Sequence, residues 1–199
     1  MKIIDIAVAA LMTAVCAAPL AVASKAQAGE ITTPADHPDW MIFEGEIVKG
    51  DGVKLDTALK SHPKVTLLIL HSNGGLIQDS FDMLDAMDRH GERGHVLNTY
   101  VGKAGTCASA CFTVFANGQR RFYNSEAKLG VHSMSDVAAD GNIKAEESES
   151  SLAATATVAR VYALGEVPPI IITKMLQTPN SDMAWLDADD LRSWAQQWN

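Results

Sequence analysis

Three short stretches hold residue types that together could carry acyl transfer: His71-Ser72-Asn73-Gly74-Gly75, Cys107-Ala108-Ser109-Ala110-Cys111 and Leu129-Gly130-Val131-His132. Such chemistry needs a nucleophile, a base to take its proton, and N–H donors aimed at the oxygen where charge develops. Ser109 follows a turn through Gly102 and Gly105 and opens a small-residue apolar helix, a place from which its hydroxyl can project. The N–H of Ala110 is then one oxyanion donor, because helix N-termini favour developing negative charge. Gly74 and Gly75 supply backbone N–H groups with no side chain blocking the approach. His132, at the end of a strand, is the base, since an imidazole titrates near neutrality.

Each stretch alone has a plainer explanation. Gly-Gly after a strand is usually an ordinary turn, a lone serine at a helix start usually caps it, and a lone histidine is usually packed or on the surface. The glycine turn is not a phosphate loop, because G-x-x-x-x-G-K-[ST] is absent. The serine is not in G-x-S-x-G, so an α/β-hydrolase elbow is unsupported. His37, His62, His71, His90 and His95 show no metal-ligand spacing, and Cys107, Cys111 and His132 lack an evident fourth ligand. No metal and no cofactor is expected.

The N-terminus carries Lys2, an apolar run from Ile3 to Ala23 broken only by Asp5 and Thr13, and then Ala26-Gln27-Ala28. This pattern predicts a signal peptide over residues 1–28, cleaved after Ala28, and hence a periplasmic or secreted protein with no stable membrane span after cleavage. An uncleaved anchor is the alternative; Val15 before Cys16 makes a poor lipidation site. Loss of Lys2, Lys25 and Asp5 takes the formal net charge from −8 to −9. That acidity argues against a nucleic-acid partner, which needs a basic face. Cys107 and Cys111 become the only cysteines. Four residues apart on a helix their Cα atoms lie roughly 6 Å apart, which leaves a disulfide and two free thiols both open.

Residues 29–40, rich in Thr, Pro, Ala and Asp, read as a linker to a single domain over 41–199. Strands are expected at Met41–Val48, Val65–Leu70, His95–Val101, Arg120–Asn124 and Lys128–His132. Helices are expected at Asp51–Ser61, from Ile77 with Ile77, Phe81, Leu84 and Met87 inward and Asp79, Asp82, Asp85 and Asp88 elsewhere, and at Ala108–Ala116. After a polar loop over Ser133–Asn142, helices follow at Lys144–Leu164, from Pro168-Pro169 to Gln177, and over Asp187–Trp198. The alternation indicates an α/β domain with a helical C-terminal third.

A glycine pair after a strand, an Ala-Ser-Ala turn and then a histidine resemble, in this order, the Clp protease proteolytic subunit and its wider Clp/crotonase superfamily. The S-x-G-G, A-S-A-C and G-x-H blocks are similar to those of exported bacterial members. The resemblance covers roughly Met41 to Trp194 and implies stacked ββα units. It makes Ser109 the nucleophile, His132 the base, and Gly74 or Gly75 with Ala110 the oxyanion donors. It also matches Lys144–Leu164 to the long helix through which such subunits interlock, and so implies a homo-oligomer. Asn73 stands where the family has proline. Trp185-Leu186-Asp187-Ala188 aligns with the family's Phe-Leu-Ser-Ala block, which puts Met183 at the acid position and Asp182 one residue early; a local insertion would make Asp182 the third member.

The resulting expectation is a periplasmic serine hydrolase, a peptidase with a peptide or protein substrate. The alternative is a catalytically inactive scaffold or partner-binding protein of the same fold. An acyl-CoA enzyme is disfavoured by export, and a Ser-Lys peptidase by His132 and the lack of any lysine suited to be its base.

Overall fold

The computed structural model describes residues 28–135 and 148–199. β1 (Glu30–Thr32) and β2 (Trp40–Glu44) lead into α1 (Asp51–Ser61), β3 (Leu67–His71), α2 (Ile77–Glu92), β4 (Asn98–Val101), β5 (Thr106–Ala108) and α3 (Ala110–Ala116). β6 (Arg121–Tyr123), β7 (Lys128–Val131), α4 (Glu149–Leu164), α5 (Pro169–Gln177), β8 (Ala184–Trp185), α6 (Ala188–Leu191) and β9 (Gln196–Gln197) complete it. One sheet has the order β1-β2-β3-β4-β6-β9, antiparallel only at β1–β2. A second has the order β5-β7-β8, with β5 parallel and β8 antiparallel to β7.

Apolar runs that parallel pairing must cover on both faces explain the core. Leu68 and Leu70 of β3, Met41 and Phe43 of β2 and Val101 of β4 are buried against Leu55 and Leu59 of α1 and Met83 and Met87 of α2. All seven residues of α3 are buried, as its small apolar sequence allows. The one hydroxyl among them is satisfied, with Thr113 Oγ1 3.1 Å from the buried Tyr162 hydroxyl.

Four expectations need correction. Residues 29–40 are not a free linker: β1 pairs with β2, and Gly29 N–H donates to Glu46 O at 2.8 Å. α2 turns Asp79, Ser80, Met83, Ala86, Met87 and His90 inward, while Ile77, Phe81 and Leu84 are half-buried. Asp79 tolerates burial because its carboxylate accepts the Gly50 N–H at 2.6 Å. β5 occupies residues assigned to the turn and to the start of α3. The last segment is one short helix followed by β9, which pairs in parallel with β6. The signal peptide, Ala28 apart, and the start proposed for α4 at Lys144 lie outside the described residues.

Gly52 is where α1 meets α2: a Cβ there would lie 2.3 Å from Asp82 Cβ and 2.7 Å from its backbone carbon. Gly91 near the end of α2 has open space around it. Thermal unfolding should therefore show Gly52→Ala losing about 1–3 kcal/mol and Gly91→Ala gaining about 0.4–1 kcal/mol.

Candidate active site

Three parallel strands end side by side. Ser72, just past β3, bridges Cys107 of β5, with Ser72 N–H donating to Thr106 O at 2.7 Å and Ala108 N–H to Ser72 O at 3.1 Å. β5 in turn registers Cys107 with Leu129 and Ala108 with Gly130 of β7. Following that register outward sets Gly74, Ser109 and Val131 at one level, with His132 one residue beyond. Carboxyl ends of parallel strands are where α/β sheets open toward ligands. Contact at this level is tight. A Cβ on Gly74, whose φ is +104°, would lie 2.7 Å from Ser109 Cβ and 3.0 Å from Ala110 N.

Ser109 adopts φ 55° and ψ −127°, angles that L-residues rarely hold. Such a backbone costs on the order of 1–3 kcal/mol and persists only where its surroundings over-determine it. They do so here: Ser109 N–H donates to Gly130 O at 3.0 Å, and Ser109 O accepts from Phe112 N–H at 2.9 Å. The turn leaves Ser109 half-buried between Ala108 and Ala110, each 1% exposed. Although Ser109 is the N-cap residue of α3, its side chain makes no capping hydrogen bond. Its hydroxyl is thus not spent on the helix, which removes the plain capping explanation.

The three expected oxyanion donors differ. Ala110 begins α3, so its N–H has no intrahelical acceptor, and it belongs to the residue directly after Ser109. Gly74 N–H donates to Ser72 Oγ at 3.1 Å, so it must share that bond to serve an oxyanion. Gly75 has a packing task. Ile47 N–H donates to Gly74 O, Leu76 N–H donates to Ile47 O, and a Cβ on Gly75 would lie 2.1 Å from Ile47 O.

His132 Nδ1 sits 2.5 Å from Ser133 O. A carbonyl only accepts, so the proton is on Nδ1 and Nε2 keeps its lone pair, the tautomer a general base needs. Burial pushes the imidazole below its ordinary range, and the hydrogen bond to Ser133 opposes this in part. No hydrogen bond joins Ser109 Oγ to His132 among the described residues. Catalytic contacts are often longer before substrate binds.

Asp182 is not brought to the histidine. It is exposed, its carboxylate accepts the Met183 N–H at 2.7 Å, and no hydrogen bond or ion pair links it to His132 among the described residues. β8 opposes β7 with Gly130 against Trp185 and Val131 against Ala184, and the ladder ends there: Ser133 N–H donates to Thr178 O at 2.9 Å, and a turn closed by Asp182 N–H on Pro179 O lies between. Met183 instead packs on Gly130, where a Cβ would lie 2.7 Å from its Sδ. Among the described residues no carboxylate hydrogen-bonds the ring of His132. The orienting group, the Ser133 carbonyl, is backbone and has no residue-type signature.

Cys107 and Cys111 are joined by a disulfide with S–S 2.01 Å and Cα–Cα 5.2 Å, and both residues are fully buried. Among the described residues no group of three His, Cys, Asp or Glu side chains is placed to hold a metal, and no helix is long and apolar enough to cross a membrane.

Two solved structures bear on this arrangement. ClpP1 from Listeria monocytogenes superposes with a TM-score of 0.58 at 14% identity, covering 81% of this chain and 92% of that one. An asparagine-to-aspartate mutant of the same protein gives 0.56 at 15% identity over the same shares. The fold is that of ClpP. No family model matches the sequence, and no curated protein matches it. At this identity the likeness to ClpP speaks for architecture, and residue roles rest on the geometry of this chain.

Thiol titration checks the bridge. Protein spanning residues 29–199, unfolded without reductant, should show no free thiol, and two after reduction; two before reduction would contradict the disulfide.

Proposed function

We propose that this chain is a serine hydrolase, a peptidase acting in the periplasm or outside the cell. The observation that carries the reading is Ser109: a half-buried hydroxyl on a strained strand-to-helix turn, uncapped and in contact with a glycine turn. Export follows from the leader pattern over residues 1–28 and accords with the buried disulfide. Self-association is part of the proposal, since Leu152 and Leu164 of α4 and Ile170 and Leu176 of α5 are exposed.

In this mechanism Ser109 Oγ attacks the scissile carbonyl while His132 Nε2 takes its proton. The carbonyl oxygen becomes an anion held by Ala110 N–H, with Gly74 N–H as second donor when it leaves Ser72 Oγ. His132 then protonates the departing amine, and water, deprotonated by the same imidazole, releases the acyl group. The Ser133 carbonyl fixes the ring but supplies no full negative charge to the imidazolium. Triads deprived of a competent acid lose about 10⁴ in kcat, so slow turnover with clear probe reactivity is the expected behaviour.

A second reading is a scaffold of this fold without catalysis. The exposed Asp182, bonded to its neighbour Met183 N–H, and the engagement of Gly74 N–H by Ser72 favour it.

A fluorophosphonate probe separates the two. Mass spectrometry should find one adduct on Ser109, lost in Ser109→Ala and retained in Ser125→Ala and in Asp182→Asn. Folded wild-type protein that takes no label would favour the scaffold. The pH dependence is a further check. Because burial lowers the His132 pKa, the neutral base persists through neutrality, and labelling should fall only below about pH 6.5, the ordinary imidazole value. A carboxylate behind the ring would move the inflection above that value, so an inflection there would contradict the carbonyl-oriented dyad.

A further inference from the structure

The disulfide brackets the nucleophile. Cys107 lies two residues before Ser109 and Cys111 two residues after, so the bridge closes a five-residue ring with the serine at its middle. One end is anchored in β5, which is tied to Ser72 on one side and β7 on the other. The other end is in the first turn of α3, a helix with every residue buried. We propose that the Cys107–Cys111 disulfide is a positioning element for the nucleophile, holding the Ser109 backbone at positive φ so that the hydroxyl projects; this rests on Ser109 being the reactive serine.

Ring size argues against general stabilisation as its main task. The loop-closure benefit of a cross-link grows with the length of chain enclosed, and five residues are at the small end. The local consequence is larger. If Ser109 relaxed to negative φ, the chain would leave β5 in another direction and carry the start of α3 away from the strand. A Cα–Cα separation held at 5.2 Å opposes that swing. Ala108 and Ala110, both buried and small, bring little side-chain bulk to resist it. Both cysteines are fully buried, so the bridge is a permanent brace rather than a surface catch open to passing thiols.

A thermal cycle tests this without any activity. Glycine accepts positive φ without strain, so Ser109→Gly relieves whatever the backbone imposes there. Its extra entropy in the unfolded chain is nearly common to both backgrounds and drops out of the comparison. The Tm change on Ser109→Gly should be more favourable by about 2–4 °C in the disulfide-bonded protein than in Cys107→Ala/Cys111→Ala, where the serine has relaxed. Equal changes in both backgrounds would overturn the proposal.

The second readout is the fluorophosphonate rate per folded molecule, which a purely stabilising bridge would leave unchanged. It should fall about tenfold to a hundredfold in the double-alanine variant. An unchanged rate would overturn the proposal. Should wild type itself not react, the hydrolase reading fails while the thermal cycle still judges the brace. If the double-alanine variant does not fold, Cys107→Val/Cys111→Ala restores volume in β5 and the same two comparisons apply.

Discussion

A serine at φ 55° stays there only when its neighbours leave it no other choice, and the site depends on that constraint. The choice is removed from several directions. Gly130 O takes the Ser109 N–H, Ser72 O takes the N–H of the preceding Ala108, and α3 draws on the Ser109 carbonyl through Phe112 N–H. Gly74 contributes by what it lacks, since any Cβ would collide with Ser109 and Ala110. Because these contacts come from the ends of β3, β5 and β7, Ser109 is tied to the register of three strands. A shift of one residue in any of them would move Gly74, Ser109 or Val131 off their common level, and His132 with it.

The electrostatics of the histidine are set by burial and by the neighbouring backbone. Among the described residues no carboxylate hydrogen-bonds the His132 ring, and burial alone would leave the imidazole neutral but unoriented. Ser133 O supplies the orientation by accepting from Nδ1. A base held this way is neutral over a wide pH range but gains little help when it becomes charged. The ClpP-like fold therefore carries, in this chain, a histidine oriented by a backbone carbonyl.

Much of the positioning scaffold could be read from the chain because its signals were local. The apolar run of β3, the small residues of α3, the proline start of α5 and the three short motifs each act through nearby residues. What escaped reading depended on partners distant in sequence. β1 and β9 are three and two residues long, too short to carry periodicity, and exist because β2 and β6 offer edges to pair with. Asp79 looked like a surface residue until Gly50 N–H met its carboxylate. Asp182 was the acid beside the aligned position, but it is exposed and its carboxylate accepts the neighbouring Met183 N–H.

The most direct measurement of the central claim is a crystal structure of the protein after reaction with a fluorophosphonate. Phosphorus should be bonded to Ser109 Oγ, with a phosphoryl oxygen about 2.7–3.1 Å from Ala110 N and His132 Nε2 facing the adduct. Phosphorus on another residue, or an oxygen turned away from Ala110, would contradict it.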